Sequence, residues 1–154
     1  MLGATGARLP EERKADALSK LEAVETNVWV ASASPSGDVH LVPVTHTWNG
    51  SQVVLATGPR SRTVSNMTAN PRARLAVGET RDVVIIDAVL VEAVPASEAP
   101  TPLAEAYAAQ AGWDPRTDPS NYVYLVLGPE RIQVWREGED PAGRTVMRSG
   151  EWVV

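Results

Sequence analysis

The sequence contains no cysteine, which excludes disulfides, a thiolate metal site and a cysteine nucleophile. Phenylalanine is also absent, so five tryptophans supply most of the large aromatic surface. Lysine is scarce: arginine outnumbers it twelve to two. Only two histidines occur, His40 and His46, on one expected strand. At about 3.3 Å per residue they lie roughly 20 Å apart and cannot share a metal. No Ser, His and Asp arrangement suggests a triad, and the Gly-Lys-Ser/Thr of a P-loop is missing. Positive charge is not in excess; the net charge of −5 argues against a general nucleic-acid binder. No apolar run approaches the roughly 18 residues that a membrane span needs. Met1 to Pro10 lack a basic end followed by an apolar segment, so a cytoplasmic protein is expected.

What is present reads as one β-rich domain over residues 1–154, with a loose start over residues 1–8. A chain of this length buries roughly 68–70% of its unfolded surface, enough for a real core. Pro10 to about Val24 has the first-turn proline, the early acids and the apolar stripe (Ala17, Leu18, Leu21, Val24) of a helix covering a barrel end. Val28–Ala33, Val39–Trp48 and Gln52–Ala56 read as a three-strand meander, with Asn49-Gly50 as the strongest hairpin signal. A short helix over Ser61–Ala69 ends at Asn70-Pro71. Strands follow at Arg72–Val77 and Asp82–Val94; the second is long enough that it must bend. A helix over Pro102–Ala111, capped by Thr101 and stopped by Gly112, precedes strands Tyr122–Leu127 and Arg131–Trp135, broken by Gly128-Pro129. Thr145–Val154 is a short tail, anchored by Trp152. Long curling antiparallel strands of this kind predict a barrel of about six to seven strands with short flanking helices.

One stretch carries chemistry: Thr57 to Asn66, T-G-P-R-S-R-T-V-S-N. It leads from a strand through a Gly-Pro turn into a helix start, where unpaired N–H groups and the positive end of the helix dipole favour an anion. Ser61 and Thr63 can donate hydroxyls; Arg62, with Arg60, can grip a phosphate through two parallel donors. The same residues also read as an N-cap beside solvated arginines. The local charge speaks for the anion: Arg60, Arg62, Arg72 and Arg74 occur with no acid among them, in an acidic chain. His46 is read as a satisfied or surface histidine, and Tyr107, Tyr122 and Tyr124 as core residues rather than proton donors. Asp114, Asp118, Glu137, Glu139 and Asp140 read as solvated loop acids.

This order of parts resembles the pyridoxamine 5′-phosphate oxidase-like split β-barrel proteins, in their flavin- and deazaflavin-dependent group. The resemblance runs from about Leu9 to Trp135. It rests on the leading helix, the Val39–Trp48 strand with Asn49-Gly50, the L-A-T-G-P-R-S-R-T-V-S-N-M stretch, the Asn70-Pro71-Arg72 strand start and the long fifth strand. The family commonly has S-R-K-x-x-N at the seat; here Thr63 stands in place of the lysine. The resemblance implies an antiparallel split β-barrel of the FMN-binding type. It implies a homodimer binding FMN or the deazaflavin coenzyme F-420 at the subunit interface. It places the ring against Val42, Pro43, Val44 and Thr45 and the phosphate on Arg60, Ser61, Arg62 and Thr63, with Thr57 and Asn66 shaping the wall. Arg81-Asp82-Val83 is similar to the family's R-Q-V, which puts Asp82 near the ring. Trp135 and Arg144–Arg148 are similar to its closing tryptophan and R-x-H-x-R, with Val146 replacing the histidine. True pyridoxamine phosphate oxidase activity is therefore not expected. The expectation is hydride transfer between the cofactor and a small unsaturated or heteroaromatic substrate, with a slight preference for deazaflavin. The alternatives are a non-catalytic carrier of the cofactor or of a tetrapyrrole, and a dimer without a cofactor.

Overall fold

The computed structural model describes residues 6–139 and 142–154. The chain runs α1 (Pro10–Glu22), β1 (Asn27–Ala33), β2 (Val39–Trp48), β3 (Val53–Thr57), α2 (Arg62–Ala69), β4 (Arg72–Glu79), β5 (Asp82–Pro95), α3 (Thr101–Ala111), β6 (Val123–Arg136), β7 (Thr145–Arg148) and β8 (Glu151–Trp152). The strands form one antiparallel sheet in the order β3-β2-β1-β4-β5-β6-β7-β8, and a further β3–β6 pairing closes the first six into a barrel. It is a split barrel with two extra strands and three α-helices. Among the described residues no helix is long and apolar enough to cross a membrane.

Strict alternation builds the interior. Val28 and Val30 of β1, Leu75 and Val77 of β4, Val84 and Ile86 of β5, and Ile132 and Val134 of β6 all point inward and are buried. The outer faces of β3 and β6 are apolar as well. There Val54, Ala56, Tyr124 and Val126 form a second cluster with Ala104, Tyr107 and Ala111 of α3. Gln110 pins that helix to the rest: its Nε2 donates to the carbonyls of Leu21 (2.8 Å) and Ala23 (3.1 Å), and its Oε1 accepts the Trp48 N–H (2.9 Å).

The strand expected to break at Gly128-Pro129 is continuous. β6 runs through the dipeptide, because register shifts beside Ala88 and Leu90 let β5 and β6 curl together and spare the ladder a proline N–H. The tail expected after Thr145 is a small hairpin, with the Lys14 ammonium 4.9 Å from the Trp152 ring centre. The chain start is not loose at Arg8. Its guanidinium forks onto Glu139 (Nε to Oε1 2.7 Å, Nη2 to Oε2 3.0 Å) and reaches Asp16 (2.7 Å). Glu139, expected among the solvated acids, has a side chain only 5% exposed. Asp114 instead caps a short turn and pairs with Arg116 at 2.7 Å, and Asp140 lies outside the described residues.

Candidate functional site

The barrel is split beside β2. That strand pairs with β1 along Val39–Thr45 but with β3 only through His46, Thr47 and Trp48. Its first half therefore has a free edge, and Pro43, which has no N–H to pair, falls on that half. Carrying the β2–β3 register two residues further sets Thr57 abreast of Val44. The chain leaves β3 there and turns through Gly58 and Pro59 into α2, so the seat stretch and the expected ring strand meet at the mouth of the split. Pro43 is exposed and Thr45 half-buried, whereas Val44 packs against the core. The Thr45 carbonyl accepts the Tyr107 hydroxyl (3.2 Å).

α2 is seated by its buried face, Thr63, Asn66 and Met67. Asn66 Nδ2 donates to Ser32 Oγ of β1 (3.1 Å), which fixes the helix against the barrel. Ser61 is the N-cap; its Oγ accepts the Val64 N–H (3.2 Å). Arg62 and Thr63 precede the first carbonyl-bonded N–H of the helix, Ser65 to Ser61 O (3.2 Å), so theirs belong to its unpaired turn. Arg60 and Arg62 are exposed, and among the described residues neither meets a carboxylate at ion-pair distance. A side chain at Gly58 would stand in open space with an ordinary φ, so glycine there leaves room rather than supplying a special turn.

Three expectations need correction. Thr63 is 1% exposed, so its hydroxyl faces the packing and not a ligand; only its N–H belongs to the seat. Asp82 shares the inward parity of Val84 and Ile86, opposite to Val83, whose cross-strand partner is Trp135. Its carboxylate turns toward Arg136 (3.3 Å), Lys20 (3.4 Å) and Arg8 (3.6 Å), away from any ring on the outer face. The basic island is also not one site. Arg72 and Arg74 stand on β4 and pair with Glu130 (3.1 Å) and Asp87 (2.6 Å), leaving only Arg60 and Arg62 at the seat.

Trp135 is half-buried, with the Arg144 guanidinium carbon 5.5 Å from its ring centre. It sits at the far end of β6 from Val123, the partner of Thr57. Twelve residues at about 3.3 Å each give up to roughly 40 Å of strand between them. Sequence reasoning missed Arg144 as a partner of Trp135; only the pairing of β7 with β6 brings the two together.

Both buried tyrosines are core residues. Tyr107 and Tyr124 pack edge-to-face at 5.3 Å, and burial raises both hydroxyl pKa values. His46 is wholly buried, its Nε2–H donating to the Leu21 carbonyl (3.2 Å) and its Nδ1 without a partner. Burial lowers its pKa below the ordinary 6.5. The unfolded chain therefore binds this proton more readily, and the stability tied to neutral His46 is complete above pH 6.5 and lost as pH falls toward the depressed value. Urea titrations from pH 7.5 downward should show that slope, and His46→Gln should flatten it; an unchanged slope would reject the assignment.

A family model described as pyridoxamine 5′-phosphate oxidase matches residues 15–136, well over half the chain. No curated protein sequence matches it. Among solved structures, an F-420 reductase is 16% identical, with a TM-score of 0.59, over 74% of this chain and 94% of that one. A heme-binding protein from Mycobacterium smegmatis is 24% identical, with a TM-score of 0.60, over 92% of this chain and 57% of that one. A heme storage protein from Vibrio cholerae is 15% identical, with a TM-score of 0.60, over 82% and 94%. Identities this low carry the fold alone.

Proposed function

This chain belongs to the pyridoxamine 5′-phosphate oxidase family, and on that premise we propose that it is a deazaflavin- or flavin-dependent oxidoreductase working as a homodimer. The observation that carries the reading is the donor set at the mouth of the split. Two exposed arginines without acids, the Ser61 hydroxyl and two unpaired helix N–H groups follow Gly58 within five residues, and a side chain at Gly58 would meet nothing within 4 Å. That set fits a phosphate. Each charge-assisted hydrogen bond is worth roughly 1.5–3 kcal/mol, so three or four hold a phosphate at micromolar levels when preformed. The free edge of β2 lies alongside to support a ring at Pro43 and Thr45. The bound cofactor supplies hydride transfer to a small unsaturated or heteroaromatic substrate; the residues of the chain bind, orient and shield it. With Thr63 where the family has lysine, the seat's positive charge rests on Arg60 and Arg62.

Assembly as a dimer is supported by the distance along β6. Trp135, with Arg144 at its ring, stands twelve residues along β6 from Val123, the partner of Thr57, which favours a partner's pair at the seat over the protomer's own. The outer sheet face between them carries exposed Trp29, Leu41 and Val39.

Titrating FMN and deazaflavin against tryptophan fluorescence tests the reading; no saturable response to either would remove it. Arg62→Ala should weaken cofactor binding at least about tenfold, the worth of one charge-assisted pair, without changing the melting temperature. Unchanged affinity would place the phosphate elsewhere.

A second reading, a non-catalytic carrier, is favoured by one observation: Thr57–Asn66 holds no group that titrates near neutral pH. It predicts tight binding of reduced cofactor with no faster oxidation by any acceptor. Two of the similar folds are heme proteins by name. In this chain His46 is sealed in the core, which leaves only half-buried His40 as a histidine for an iron.

A further inference from the structure

The turn that joins β2 to β3 holds an asparagine by its side-chain amide. Asn49 and Gly50 are both exposed, and the Asn49 N–H donates to the Gln52 carbonyl (3.1 Å), which closes the turn. Asn49 Oδ1 accepts the N–H of Ser51 (3.0 Å) and the N–H of Gln52 (2.7 Å), with the Ser51 hydroxyl at 3.4 Å. Its Nδ2 donates to Gln52 Oε1 (3.1 Å). The two N–H donors draw the amide forward along the chain, past Gly50. Gly50 has φ +100°, a conformation that other residues rarely adopt, and a side chain there would meet nothing within 4 Å. Among the described residues the Gly50 N–H has no acceptor. None of the other four asparagines combines these features. Asn66 is buried and donates to Ser32 (3.1 Å), and Asn70 precedes Pro71, which has no N–H. Asn27 precedes the β-branched Val28 within β1, and Asn121 precedes Tyr122.

We propose that Asn49 is a self-modification site, converting to aspartate and isoaspartate through a cyclic imide. The Gly50 nitrogen gives its proton to a solvent base and bonds to Asn49 Cγ. The Cγ–Nδ2 bond breaks, and Nδ2 leaves as ammonia with a proton from water. Water then opens the imide: attack at Cγ gives aspartate, and attack at the main-chain carbonyl gives isoaspartate. The only co-reactant is water, so the step is independent of the cofactor reading. As the nitrogen adds, negative charge develops on Oδ1, where the Ser51 and Gln52 N–H groups already point. Hydrogen bonds to a charged oxygen are roughly twice as strong as those to a neutral one, so the turn favours the transition state over the amide. The two products differ in consequence. Aspartate keeps an acceptor for both N–H groups. Isoaspartate adds a carbon to the main chain inside the turn, next to His46–Trp48, the whole of the β2–β3 pairing. The isoaspartate form therefore loosens the barrel where it closes beside the split.

Ageing the full chain at mildly alkaline pH, followed by peptide mapping with mass spectrometry, tests it. Asn49 should convert at least about tenfold faster in the folded chain than in the same chain held in urea, where the donors of the turn are dispersed. Asn27, Asn66, Asn70 and Asn121 should stay intact over that time. Asn49→Asp supplies the aspartate product alone and should melt with the fresh protein, whereas the isoaspartate fraction, separated by chromatography, should melt lower. The proposal is overturned if Asn49 does not convert, if it converts no faster folded than in urea, or if Asn27 and Asn121 convert alongside it. An isoaspartate fraction that melts with the fresh protein would overturn the loosening of the barrel.

Discussion

A Trp29→Arg protein should sediment as a folded monomer and bind cofactor weakly or not at all. Trp29 is 50% exposed on the outer face of β1, flanked across the register by Pro43 of β2 and Ala76 of β4. Leu41 and Val39, 57% and 76% exposed, continue the apolar patch along β2. A stable interface buries about 800 Å² per partner, and its hot spots are enriched in tryptophan at two or more kcal/mol each. An arginine here removes such an anchor and forces a guanidinium into the apolar seam. The dimer dissociation constant should rise at least about a hundredfold, enough to separate the protomers at micromolar concentration. The folded protomer should survive, because position 29 points away from the barrel interior. Cofactor binding should fall with the dimer, because the proposed site joins the seat of one protomer to the Trp135–Arg144 pair of its partner. Val91→Arg is the control: Val91 is also 62% exposed but stands on the far part of β5. Sedimentation and fluorescence titration of the two variants decide the matter. A Trp29→Arg dimer, or a monomer with undiminished affinity, would sink the interface reading.

The sequence made the local parts legible and left the long-range ones hidden. Val28–Ala33 and Arg72–Val77 alternate cleanly because each has one face on the core, and Ser61, Gly112 and Asn49-Gly50 mark ends that short-range chemistry controls. Gly128-Pro129 misled because a bulge at Glu130, set by pairing with a strand some forty residues away in the chain, absorbs it. The seat was recognisable as a helix start, but its side-chain directions were not. Thr63 turns inward because α2 must bury its i, i+3, i+4 face against β1, which a run of polar letters does not announce. The island of arginines divided for a similar reason. Asn70-Pro71 ends the helix, and on β4 the outward positions 72 and 74 pair with Glu130 and Asp87, whereas Arg60 and Arg62 meet no carboxylate among the described residues. Glu139 looked like a surface acid, and Asp82 like a neighbour of the ring, because nothing nearby in sequence is their partner; both are recruited by Arg8, from the start of the chain.

That recruitment leads to the largest stability effect expected of a single polar substitution. Arg8→Met should destabilise the protein by about 2–4 kcal/mol at pH 7, because it strips a mostly buried carboxylate of its fork. Arg8 and Glu139 side chains are 7% and 5% exposed, and the remaining cation near Glu139, Arg13, stands 3.8 Å off and already donates to the Ala142 carbonyl. The double variant Arg8→Met, Glu139→Gln should recover much of the loss, since the cost lies in the orphaned charge more than in the worth of the pair. The pH dependence gives an independent check. The Arg8 fork holds the Glu139 carboxyl below its ordinary value of 4.5. The unfolded chain therefore takes up this proton first, so the stabilisation is complete above pH 4.5 and disappears as pH falls through the lowered folded value. The gap between wild type and Arg8→Met should be widest at neutral pH and should narrow in acid. Urea midpoints at pH 7 and in the acid range measure it. A gap that stays constant across that range would mean the residue stabilises by packing its aliphatic stem, and a gap below about 0.5 kcal/mol at pH 7 would mean the chain start is not clasped in solution.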